Sequence, residues 1–67
     1  MDKEQLKQRV IEGVQCDIIK TEILISYLQE LKKTMNKAEK GATDVKIMAL
    51  ERDIKFNLGY VKHASNS

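Results

Sequence analysis

The chain has 67 residues, of which 33% are charged and 42% apolar, with no proline, three glycines, one cysteine and a formal net charge of +2. A chain of that length holds one domain with a thin core. It buries only about 60% of the surface its unfolded form exposes, so it relies on a staple, a metal or a partner subunit. One cysteine leaves no internal disulfide and there is no Cys/His set for zinc, which makes self-association the remaining route.

The composition is globular, and the lack of prolines favours long helices. No run approaches the ~18 apolar residues of a membrane span. The opening Met1-Asp2-Lys3-Glu4-Gln5 lacks the basic-then-apolar plan of a signal peptide. Together with an unpaired cysteine, these features lead us to expect a cytoplasmic protein without membrane contact.

Asp2 reads as a helix N-cap, with Glu4 at the positive end of the helix dipole. A 3–4 spacing then runs through Ile11, Val14, Ile18, Thr21, Ile25 and Leu28, widened to one side by Leu6, Val10, Leu24, Leu31 and Met35. Thr21 is the one polar member of this seam. Cys16, Ile19, Ile23 and Tyr27 form a second stripe, and two stripes call for two neighbours. Gly13 followed by Asp17 offers a place for a break, but the seam keeps its phase across it. The spacing therefore predicts one helix over about 3–36.

The stretch Asn36-Lys37-Ala38-Glu39-Lys40-Gly41-Ala42 reads as the connector, with Gly41 supplying a positive φ. Thr43 or Asp44 would cap a second helix over about 44–62. Its inward stripe is Ile47, Leu50, Ile54, Leu58 and Val61, with Val45, Ala49, Phe56 and Tyr60 on a weaker face. Residues 1–62 would form the hairpin and 63–67 a flexible tail.

At ~1.5 Å per residue the first helix would be roughly 50 Å long and the second under 30 Å. The second would cover the first only as far as about Cys16, leaving Leu6, Val10, Ile11 and Val14 wet. The fold expected is thus an all-α, antiparallel two-helix hairpin that dimerises into a four-helix bundle through Leu6, Val10, Ile11, Val14, Ile18, Ile25 and Leu28.

Residues 31–67 hold eight basic and four acidic side chains, whereas residues 1–30 hold four and six. The cluster of Lys32, Lys33, Lys37, Lys40 and Lys46 reads either as a docking patch or as the ordinary preference of cations for helix C-termini and loops. No aromatic residue is interleaved with these lysines to stack on bases. Cys16 and His63 are the only soft nucleophile or metal candidates, and they lie far apart in sequence. We therefore expect no catalytic residue, metal, cofactor or small-molecule substrate.

Lys40-Gly41-Ala42-Thr43-Asp44 followed by a helix resembles the helical-hairpin aspartyl-phosphate phosphatases of sporulating bacteria over about 20 residues. That family carries Ser-Gln-Glu-Leu-Asp at this point of its second helix; here the stretch is Glu51-Arg52-Asp53-Ile54-Lys55. Only the hairpin shape carries over, which makes phosphatase chemistry a remote alternative. In size and layout the chain is also similar to the plasmid-copy-control RNA-binding hairpins, a likeness that implies RNA or DNA binding as a rival function.

The function expected is a small non-enzymatic regulator of bacterial or mobile-element type, homodimeric and bound to a larger host protein such as a transcriptional regulator. Arg52, Phe56, Tyr60 and the lysines at 33, 37, 40 and 46 would form its partner surface.

Overall fold

The computed structural model describes residues 2–66, which form two antiparallel helices: α1, Lys3–Lys32, and α2, Lys37–Asn66. Each has 30 residues, and the hairpin measures 52 × 16 × 12 Å.

α1 starts where its cap dictates. The Asp2 carboxylate accepts a hydrogen bond from the Gln5 backbone N–H at 2.9 Å, satisfying one of the orphan donors of the first turn. The helix passes Gly13 without interruption. It ends at Lys32, four residues earlier than the apolar spacing predicts. The amides of Lys33, Thr34 and Met35 turn back onto the carbonyls of Glu30, Leu31 and Lys32, and the Thr34 hydroxyl also donates to Leu31 O. Such tight bonds close a helix end.

α2 starts seven residues before the predicted point, and the cause lies in Asn36 and Glu39. The Asn36 side chain accepts from the Glu39 amide at 2.9 Å, and the Glu39 carboxylate accepts from the Asn36 amide at 3.1 Å. This reciprocal capping box satisfies two donors at once. Neither Thr43 nor Asp44 caps the helix, and Gly41 has no positive φ. It sits inside α2 at the usual penalty of ~1 kcal/mol relative to alanine.

At its other end α2 continues through His63, Ala64 and Ser65 to Asn66, so the segment expected to be a tail is helical over its described part. Ser67 lies outside the described residues. The mismatch of a long rod and a short lid is therefore smaller than the spacing predicts. Val61 and Ala64 extend the covering stripe, Ile11 is buried and Val14 half-buried within the chain, while Leu6 and Val10 remain exposed.

The seam between the helices follows the sequence closely. Buried and half-buried positions recur at 3–4 spacing through Ile11, Val14, Ile18, Thr21, Ile25 and Leu28 on α1, and through Ile47, Leu50, Ile54, Asn57, Val61 and Ala64 on α2. This is the heptad pattern of an antiparallel coiled coil. Leu58, expected to point inward, is exposed, and Asn57 takes the seam position instead. Two contacts near the turn fix the register. Lys32 pairs with Asp44, and the Thr43 hydroxyl donates to the Met35 sulfur at 3.0 Å. Carried down the hairpin, that register sets Thr21 and Asn57 at neighbouring levels.

Candidate functional site

The seam consumes most of the residues the sequence offers as a dimer interface. Ile11, Ile18 and Ile25 are 6, 6 and 9% exposed, and Val14 and Leu28 are half-buried in the same stripe. Their apolar surface is already covered by α2 of the same chain. Of the seven, only Leu6 and Val10 face outward.

Positions flanking the seam divide the outside of the hairpin into two broad faces, since in an antiparallel pair the like flanks of the two helices lie on the same side. One face carries Gln5, Gln8, Glu12, Gln15, Glu22 and Gln29 from α1, with Asp44, Glu51 and Lys55 from α2. It is mostly amide and charge. Even so, Ile19, Met48 and Leu58 are exposed there.

The opposite face is apolar. α1 contributes Leu6, Val10, Leu24, Tyr27 and Leu31, and α2 contributes Phe56 and Tyr60, all exposed, beside Ala42 and Ala49. Phe56 is 77% exposed. A phenyl ring left so bare gains nothing from the monomer's folding, because the stabilisation of an aromatic comes from the area it removes from water. Gly13 interrupts this face on α1, and a Cβ built there meets no atom within 4 Å.

Four charges break the middle of the apolar face, Asp17 and Lys20 on α1 and Lys46 and Asp53 on α2, and Lys3 and Glu39 lie at its ends. Acidic and basic residues are equal in number, so the patch is neutral. This arrangement is not evident in the sequence because it depends on the phase of the α2 seam, where Asn57 rather than Leu58 turns inward. Leu24, Tyr27, Phe56 and Tyr60 could each be read singly as anchors, but not as members of one surface.

The residues expected to meet a partner protein divide by position. Lys33, Lys37, Lys40 and Lys46 are exposed at or near the turn end, and Arg52 is exposed on the outer edge of α2 between Met48 and Phe56. Phe56 and Tyr60 belong to the apolar face. Lys33 is held by Glu30 at 3.2 Å on the surface of α1. Lys32, half-buried in the seam, serves the register through Asp44.

The more marked depressions of the surface are walled by single helices, one by Met48, Glu51, Arg52 and Lys55 and another by Gln5, Gln8, Arg9 and Glu12. Among the described residues no three His, Cys, Asp or Glu side chains converge as a metal site would require. Cys16 is exposed on α1, and His63 lies in the last turn of α2. No helix is long and apolar enough to cross a membrane. No protein-family model matches the chain, and no curated protein or solved structure matches it significantly.

Proposed function

We propose that this hairpin is a non-enzymatic interaction protein that homodimerises and binds a larger host protein, such as a transcriptional regulator, to alter its activity. One observation carries the reading. Twelve large apolar side chains stand exposed on the described hairpin, while only four hydrophobic residues are buried in its core. Surfaces of that kind on a small chain mark protein contacts.

The two kinds of contact fall on different parts of the molecule. The apolar face suits a second copy. The outer edge of α2, where Val45, Met48 and Arg52 are exposed, together with the lysines at 33, 37 and 40, suits an acidic protein surface. A symmetric dimer presents that edge twice, which strengthens binding to a dimeric target.

The test is capture of the partner by wild type and by Arg52→Glu. The reading expects one host protein in stoichiometric amount with wild type, its loss with the variant, and unchanged helicity in both. Capture of RNA or DNA that weakens steeply with salt would replace it with the nucleic-acid reading, in which the lysine-rich turn neutralises phosphates.

A further inference from the structure

We propose that a second copy of the chain packs on the apolar face with its α1 antiparallel to the first, so that the two turns lie at opposite ends of the dimer. This rests on the dimerisation part of the function proposed above and specifies its geometry.

The surface area calls for such a cover. The chain exposes 5464 Å², whereas a compact monomer of 7.7 kDa exposes roughly 4,300 Å². The excess of roughly 1,100 Å² exceeds the ~800 Å² that each partner contributes to a standard interface.

The order of residues on the face selects a second copy and sets its direction. Read along α1, the outward stripe is Leu6, Val10, Gly13, Asp17, Lys20, Leu24, Tyr27, Leu31, with the 3–4 spacing unbroken. A two-fold axis that passes between the copies, perpendicular to α1 and level with Ile18–Ile19, turns this stripe onto its counterpart. Leu6 then faces the second copy's Leu31, and Val10 faces its Tyr27. Gly13 faces Leu24, so a bulky side chain meets the one position that has no side chain of its own. Asp17 faces Lys20. Apolar residues meet apolar residues and each charge meets its opposite at every step, as isologous contact requires.

The same axis brings Phe56 and Tyr60 of α2 to the middle of the dimer. The register through Lys32–Asp44 and Met35–Thr43 places Asn57 and Leu58 level with Ile18–Thr21, so the aromatic rings of the two copies flank the axis and cover one another. With the turns at the same end, α1 would instead lie on the other copy's α2, and the same register would set Asp17 on Tyr60, Lys20 on Phe56 and Asp53 on Leu24, leaving each charge against an apolar side chain.

Charge reversal distinguishes these cases. The oligomeric state is read by sedimentation equilibrium, with circular dichroism on the same samples. Wild type is expected to be dimeric at micromolar concentration. Asp17→Lys or Lys20→Asp alone raises the dissociation constant by about thirtyfold, equivalent to losing two such pairs at ~1 kcal/mol each. The double variant D17K/K20D restores it, and an equimolar mixture of the two single variants forms a heterodimer.

A monomeric wild type at about 100 µM overturns both this arrangement and the dimeric part of the functional reading. A dimer indifferent to the single reversals, or one whose Lys20→Asp defect is not repaired by Asp17→Lys, overturns the arrangement alone.

Discussion

Replacing Thr21 by isoleucine should stabilise the hairpin by about 1–1.5 kcal/mol. Thr21 is half-buried in a stripe whose other members on α1 include Ile18 and Ile25, 6 and 9% exposed. Its hydroxyl donates to the Asp17 carbonyl at 2.8 Å, one turn back on its own helix. That carbonyl still receives the helical main-chain bond from residue 21, so losing the hydroxyl strands no partner. The substitution therefore exchanges a self-satisfied hydroxyl for apolar volume, worth ~0.8 kcal/mol for each buried methylene.

Isoleucine keeps the β-branched shape and helix propensity of threonine. The gain should raise Tm by about 5–10 °C in a domain this small. Adding Asn57→Leu at the neighbouring level should bring the total to roughly 2–3 kcal/mol. Urea unfolding followed by far-UV circular dichroism, repeated at two protein concentrations, separates folding from association. An unchanged or lowered midpoint for Thr21→Ile would refute the reasoning, because it would place residue 21 outside the seam.

Other substitutions probe the remaining supports of the fold. Asn36→Ala should cost ~1 kcal/mol by opening the capping box, read as a lower urea midpoint with unchanged slope. Gly41→Ala should add ~1 kcal/mol of stability, read as a higher midpoint, because a Cβ there meets nothing within 4 Å; a loss would refute its placement in the interior of α2. Ile25→Ala should cost 2–5 kcal/mol, enough to remove most of the helical signal at low concentration. Asp44→Asn should change stability by less than ~1 kcal/mol, since its pair with Lys32 is partly exposed and screened by water.

The sequence and the structure agree where a residue's surroundings are set within its own helix. The Asp2 cap, the phase of the seam across Gly13 and the inward direction of Ile18, Ile25 and Ile47 all follow from local spacing. The start of α2 was misread because Gly41 and Thr43-Asp44 look like a turn and a cap. The decisive signal was Asn36 followed three residues later by Glu39, whose two bonds outweigh one interior glycine. At the far end, Ala64 continues the 3–4 rhythm three residues after Val61, but alanine is too weakly apolar to announce a stripe. The candidate interface is legible in the sequence as exposed anchors and not as a face, because membership depends on which flank of each seam a residue occupies, and Asn57 rather than Leu58 sets that phase on α2.

The narrowness of the seam has a consequence for the protein in a cell. With four hydrophobic side chains buried, the folded form is held by a small margin, and any molecule that binds it adds to that margin by mass action. Abundance then sets the fraction of chains that escape proteolysis. For the proposed dimer, copies below its dissociation constant would be cleared and those above it would persist, so its level would rise with a sharper onset than its synthesis rate alone would give.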